Sequence, residues 1–150
     1  MRAFISIACL MLVGFGCTEA HKKASSGSEK LYFAVELRKE GKLVGKPKLL
    51  GESGKRLRAE RRRPGSDAAD YVLMLTPVRR GPVYQVDLEV VVPEAEARSE
   101  LSLLHGEVRK LELGRKPGDL AVTLTLMEVD SPEFRAMMRL LDDAAYPSSI

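Results

Sequence analysis

The strongest constraint on the fold of this chain is a repeated alternation of apolar and polar residues. Alternation with a period of two is typical of β-strands that are buried on one face. The clearest example is residues 84–92, where the apolar positions are Tyr84, Val86, Leu88, Val90 and Val92. Residues 31–37, 71–75 and 120–126 repeat the pattern. We therefore predict a mainly β domain.

Turn signals divide these apolar runs into three hairpins. Lys39-Glu40-Gly41-Lys42 follows the first run, Arg79-Arg80-Gly81-Pro82 joins the second run to residues 84–92, and residues 114–119 precede the last run. Glycine and proline at such positions are typical of hairpin turns, so all strand pairings are predicted to be antiparallel. Pro47 has no N–H to donate to a neighbouring strand and is therefore expected at a sheet edge.

Two segments of the chain are similar to each other. Residues 47–57 and 101–111 each place a Leu-Leu pair before a glycine turn and a charged strand. Two related halves that stack their apolar faces would form an antiparallel two-sheet sandwich. Chance similarity is the alternative to a repeat, and a small open barrel is the alternative to a sandwich. The first segment resembles Pro-x-Leu…Gly strand-turn-strand segments of secretin-type proteins of bacterial envelopes.

One C-terminal amphipathic helix is predicted over residues 131–146. Ser131 can cap the first amide groups, Pro132 fits the first turn, and Glu133 complements the helix dipole. Apolar side chains then recur at helical spacing: Phe134, Met137, Met138 and Leu141. This stripe either packs on the sandwich or stands free as a docking element for another protein.

Residues 1–16 have the pattern of an export signal peptide. Arg2 precedes the apolar run from Ala3 to Phe15, and Gly16 lies directly before Cys17. The run is shorter than the roughly 20 residues that cross a bilayer. This arrangement resembles a bacterial lipoprotein signal of the signal peptidase II type, although the chain has Gly14 where that family prefers a branched aliphatic residue.

The lipoprotein resemblance implies cleavage before Cys17 and lipidation of Cys17 by fatty acids. Thr18, rather than Asp, follows the cysteine, which in this family implies the periplasmic face of the outer membrane. The alternative is an ordinary secretory signal cut after Gly16, with release to the periplasm.

The remaining chain is predicted to contain a tether and one domain. Residues 17–30 are polar and lack apolar periodicity, which is typical of a flexible linker. Residues 31–150 are then the β-sandwich domain with its helix. Cys9 lies in the predicted signal peptide and Cys17 would be acylated, so no disulfide is expected.

The sequence contains no recognisable catalytic or metal-binding constellation. His21 lies in the predicted tether, and His105 lies in a predicted turn, where we expect a solvated side chain. No second histidine or cysteine stands at the spacing of a zinc site. We predict no enzyme activity, no metal and no cofactor.

Residues 55–63 are the most strongly charged part of the chain. Alternation places Arg56, Arg58 and Arg62 on one side of a strand. Arg61 and Arg63 fall on the other side and in the turn. One interpretation is an edge strand whose charges prevent aggregation. The other is a binding site for an anionic partner, which arginine suits by its geometry.

The predicted export and the charge balance argue against nucleic acid as a partner. The formal net charge is only +3, and aromatic residues that stack on bases are not interleaved with the arginines.

Together these features favour a non-enzymatic accessory or scaffold subunit of a cell-envelope assembly for secretion, adhesion or surface motility. The alternative function is a binding module for an anionic envelope ligand, such as lipopolysaccharide, phospholipid or an acidic polymer, held by the basic strand. An envelope protein partner is expected, and the oligomeric state stays open.

Overall fold

The computed structural model describes residues 28–145, which form two antiparallel sheets and one helix. In chain order the elements are β1 (Lys30–Lys39), β2 (Lys42–Gly45), β3 (Lys48–Glu52), β4 (Leu57–Arg62), β5 (Ala69–Arg80), β6 (Val83–Val92), β7 (Ala95–Leu103), β8 (Val108–Leu113), β9 (Leu120–Glu128) and α1 (Pro132–Ala145). The first sheet has the order β2-β1-β9-β8, with β3 also paired to β1, and the second has the order β4-β5-β6-β7. The predicted two-sheet sandwich with one C-terminal helix is confirmed.

The three predicted hairpins are present with the expected pairing. β1 pairs with β2, β5 with β6, and β8 with β9, each in antiparallel register. Glu40 and Gly41 in the first turn both have positive φ angles, 49° and 75°. That combination matches the twist of two-residue hairpins and explains the glycine in this turn.

β2 and β3 together form one interrupted edge of the first sheet. β3 pairs with the start of β1 and β2 pairs with its end. Pro47 lies in the interruption, and its carbonyl oxygen accepts a hydrogen bond of 3.0 Å from the N–H of Val35. The expectation that Pro47 lies at a sheet edge is therefore confirmed.

The hydrophobic core lies between the inner faces of the two sheets. Its side chains come from both: Leu31, Phe33, Val35 and Leu37 of β1; Leu49 of β3; Tyr71, Leu73 and Leu75 of β5; Tyr84, Val86, Leu88, Val90 and Val92 of β6; Leu101 and Leu103 of β7; and Leu120, Val122, Leu124 and Leu126 of β9. The apolar positions of every predicted alternation lie in this core. Burial of each such side chain contributes roughly 1.5–3 kcal/mol.

The two similar segments correspond to the two places where the chain passes between the sheets. Residues 47–57 lead from β3 in the first sheet to β4 in the second, and residues 101–111 lead from β7 back to β8. In both segments the first leucine of the pair is buried and the second is exposed. The two sheets do not correspond to two related halves of the chain, because the first sheet combines strands from both ends of the domain.

α1 begins where the sequence predicts. The N–H of Phe134 donates a hydrogen bond of 3.1 Å to Oγ of Ser131, which is the expected N-cap. The Phe134 ring packs against Tyr32, with ring centroids 5.3 Å apart. Farther along, apolar side chains are exposed by 38% at Met138, 71% at Leu140 and 41% at Leu141. The apolar stripe therefore packs on the sandwich only at its start.

The helix has 14 residues and ends at Ala145. Its predicted end at Tyr146 lies outside the described residues. In the part of the chain that the structure describes, no helix has both the length and the apolar character needed to span a bilayer.

A matched pair of leucines tests the role of the core. Leu124 is fully buried on β9, whereas Leu50 is 65% exposed on β3. We expect Leu124→Ala to lower the free energy of unfolding by about 2–5 kcal/mol, because it removes buried carbons and leaves a cavity. Leu50→Ala should change it by about 0.5 kcal/mol or less. Urea unfolding measures both, and equal losses would contradict this assignment of the core.

Candidate functional site

Of the residues that the sequence singles out, Cys17 lies outside the described residues. The arginines of the basic segment lie on or beside β4, which is an outer strand of the second sheet. Their side chains are between 54% and 73% exposed. The register of β4 with β5 shifts between Arg61 and Arg62, which indicates a bulge. An irregular, charged edge of this kind resists pairing with other sheets.

Each of these arginines has a carboxylate partner within the domain. Arg58 and Arg62 both contact Glu60, at 2.7 and 3.1 Å. Hydrogen bonds from these two guanidinium groups lower the pKa of the Glu60 carboxyl. The other pairs are Arg61 and Arg63 with Asp70, and Arg56 with Glu89. An anionic ligand at this strand would therefore compete with three carboxylates for five guanidinium groups.

A polar cluster that the sequence does not reveal lies at the N-terminal end of the sandwich, where β1 begins. Tyr84 is buried, with 1% of its surface exposed. Its hydroxyl donates a hydrogen bond of 2.8 Å to Oε1 of Glu128. Arg79 lies beside them, with Cζ 5.6 Å from the centre of the Tyr84 ring. The Arg79 guanidinium donates to Glu29 and lies 3.9 Å from Glu128. The cluster thus connects Glu29, directly before β1, with the second sheet through Arg79 and connects the second sheet with Glu128 of the first.

The environment of Tyr84 keeps its phenol protonated. Burial first, and then the nearby carboxylates of Glu29 and Glu128, raise the pKa of Tyr84 far above its ordinary value of 10.0. A phenol that retains its proton serves as a hydrogen-bond donor and not as a general base.

His105 extends the same cluster to the helix. Its Nδ1 accepts a hydrogen bond of 3.0 Å from the backbone N–H of Glu128, and its Nε2 lies 3.2 Å from Oε2 of Glu133. The expectation of a solvated histidine is therefore wrong. The backbone contact assigns the proton of the neutral ring to Nε2, which can then donate to Glu133. The pKa of Glu133 is lowered, chiefly by its own backbone N–H and then by His105.

The chemistry of this cluster is that of a structural joint. Its carboxylates and cations are already paired with each other. Among the described residues, no group of three or more histidine, cysteine or acidic side chains is arranged to hold a metal ion. The arrangement fixes the N-terminal end of the domain, the outer strands and the start of α1 relative to one another.

The described residues also form surface hollows, among them two that are lined by charged side chains. One, of about 440 Å³, lies on the outer face of the second sheet, where Arg56 and Arg98 alternate with Asp87, Glu89 and Glu100. The other, of about 480 Å³, lies at the opposite end of the sandwich from the polar cluster, beside the turn at Glu40 and the loop at Asp119. Both have mixed charge, so neither selects one sign of ligand.

Sequence reasoning missed the cluster because its members are far apart in the chain. Glu29, Tyr84, His105 and Glu128 share no motif, and only the pairing of the strands brings them together. A search against known proteins adds no template for the site: no family model, curated protein or solved structure matches the chain. The function must therefore be argued from the surfaces of the domain.

Alkaline unfolding tests the Tyr84 hydrogen bond. The phenol has a raised pKa in the folded state, so the unfolded chain loses this proton first when the pH rises past about 10. The stability that Tyr84 contributes is therefore present below about pH 10 and lost above it. We expect Tyr84→Phe to lower the free energy of unfolding by about 1–3 kcal/mol at neutral pH.

The difference in the free energy of unfolding between the wild-type chain and Tyr84→Phe should become smaller when urea unfolding is measured at about pH 11. Tyr71→Phe, the same change at a buried tyrosine outside the cluster, is the control. A difference that is independent of pH would refute this role for Tyr84.

Proposed function

We propose that the protein is a non-enzymatic lipoprotein of the outer membrane that acts as an accessory subunit of a cell-envelope assembly. The observation that carries this proposal is the apolar surface of α1, where Phe134 and Met137 are half-buried but Met138, Leu140 and Leu141 are exposed. The exposed Leu104, in the segment after β7, precedes His105, which contacts Glu133 of α1. Apolar surface of this kind, beside a rigid joint, suits the binding of another protein.

The fixed base of α1 supports this role. Ser131 caps the helix, Phe134 packs on Tyr32, and Glu133 contacts His105, so the first turn is held by three separate interactions. The rest of the stripe is presented in a defined direction. An amphipathic helix with i, i+3, i+4 and i+7 apolar residues is a common element for insertion into a groove of a partner protein.

The proposed location at the outer membrane rests on the resemblance of the N-terminal segment to a lipoprotein signal. We expect Cys17→Ser to abolish membrane association, because the lipid that anchors the chain is attached to this sulfur. Cys9→Ser, a change within the segment proposed to be removed, should leave association unchanged. Membrane fractionation and intact mass of the mature chain measure both. A Cys17→Ser chain that is processed and sediments with membranes as before would exclude the anchor, and a wild-type mature chain without an adduct would favour the secreted alternative.

Affinity capture of the full-length chain from detergent-solubilised envelopes tests the partner. We expect a protein recovered in stoichiometric amount with the wild-type chain and about tenfold less of it with Leu140→Ser combined with Leu141→Ser. Leu43→Ser is the matched control, because Leu43 is 50% exposed but lies on β2, away from the helix. Equal recovery with the helix variant would argue against docking through α1. Circular dichroism verifies that all variants are folded.

A second candidate function is the binding of an anionic envelope ligand by the β4 edge. It is favoured by the excess of guanidinium groups over carboxylates there and by the exposure of the arginine side chains. In the same capture experiment, lipid or glycan would then co-purify in place of a protein. The association of this lipid or glycan with the chain would weaken as the salt concentration rises. It would disappear when Arg58, Arg61, Arg62 and Arg63 are replaced by Ser.

A further inference from the structure

The outer edges of the two sheets differ in how they are protected from pairing with other strands. The edge formed by β2 and β3 is interrupted at Pro47, and β4 has a bulge at Arg61 and many arginines. β8 has six residues, among them Arg109 and Lys110. β7 has nine residues, an unbroken register with β6, and neither proline nor lysine. β7 carries charged side chains on its outer face, but it lacks the proline, lysine and bulge that protect other edges from pairing.

The sandwich is also incompletely closed along β7. Ala95 and Ala97, on the inner face of β7, are only half-buried although they pack against the core. Leu111 and Leu113 of β8, in the other sheet, are half-buried as well. Apolar side chains of the core thus remain partly in contact with water on this side.

The outer face of β7 carries a charge arrangement that one copy of the chain does not balance. Glu100 lies directly opposite Asp87 of β6. The Glu100 carboxylate accepts a hydrogen bond of 2.7 Å from the amide of Gln85, but within residues 28–145 neither carboxylate forms an ion pair. Like charges at directly opposed positions of a sheet are destabilising. A cation placed beyond β7 would offset this.

We propose that the protein forms a symmetric dimer in which the β7 strands of two copies pair antiparallel about a two-fold axis at Ser99. The two four-stranded sheets then become one continuous sheet of eight strands. In this register Arg98 of each copy lies opposite Glu100 of the other. Within one copy the exposed Arg98 guanidinium contacts Glu89 and Glu96 at 3.2 and 3.3 Å, so in the dimer it would bridge these carboxylates to Glu100 of the second copy. On the inner face, Ala97 lies opposite Leu101 of the second copy, so a small residue meets a large one.

The charges of β7 favour this register over the other registers in which two β7 strands could pair. A two-fold axis between two residues would place inner faces opposite outer faces and is excluded by the pleat. An axis at Arg98 or at Glu100 places that residue opposite its own copy. An axis at Ala97 pairs Arg98 with Glu96 but brings Glu94 opposite Glu100. Only the axis at Ser99 gives two opposite-charge pairs without a like-charge pair.

Charge exchange tests the dimer independently of the lipid anchor and of the protein partner. The full-length chain in mild detergent is followed by sedimentation velocity over a range of concentrations. We expect the wild-type chain to dimerise and both Arg98→Glu and Glu100→Arg to weaken the dimer by about tenfold or more, because each creates like-charge pairs across the axis.

The two single variants also serve as a rescue experiment. When they are mixed, each chain presents the opposite charges to the other, so a mixed dimer should form. The double variant Arg98→Glu with Glu100→Arg should dimerise by itself for the same reason. A monomeric wild-type chain, or dimerisation that both single variants leave unchanged, would overturn the proposal.

Cross-linking tests the register. Ser99→Cys places two thiols on the two-fold axis, where an antiparallel pair brings Cβ atoms to about 4.5–5.5 Å, within reach of a disulfide after small adjustments. Ser102→Cys is the control, because residue 102 lies opposite Glu96 and far from its own copy. We expect a disulfide-linked dimer with the first variant, in excess of any that the wild-type chain forms under the same conditions. Linkage through position 102 instead would refute this register.

Discussion

The structure depends above all on the burial of two alternating apolar faces against each other. A sheet with one apolar face is not stable alone in water, so the leucine and valine side chains of β1 and β9 require those of β5 and β6. Residues 28–145 contain no cysteine, and this core therefore carries the stability of the domain without disulfides. Polar groups that join the sheets are placed at the end of the sandwich, where they do not interrupt the core.

The polar cluster at the N-terminal end gives the domain a defined geometry as well as stability. Tyr84 and Arg79 belong to the second sheet, and Glu128 to the first, so their contacts oppose sliding of one sheet over the other. His105 accepts a hydrogen bond from the backbone of Glu128 and contacts Glu133, so it links this cluster to the first turn of α1. The start of the helix is consequently fixed to the same end of the domain at which the chain enters β1.

The surface of the domain divides into regions with different physical properties. The β4 edge is irregular and rich in arginine, the β7 edge is regular and has Glu100 opposite Asp87, and α1 exposes Met138, Leu140 and Leu141. A partner bound to α1 and a second copy paired along β7 would occupy separate regions. The two proposed interactions are therefore compatible in one assembly.

The sequence alone determined the most apolar strands, the three hairpins and the start of the helix, because period-two burial, turn residues and capping residues are local signals that act over a few positions. It did not predict β7, whose alternation of alanine and charged residues is a weak apolar signal. It also indicated which strand carries the arginines. Only the tertiary structure decided which edges are open, that the two similar segments are passages between the sheets, and that His105 is a bridge and not a solvated side chain. These features bring together residues far apart in the chain, such as Glu29 and Arg79, and no local pattern encodes such a pairing.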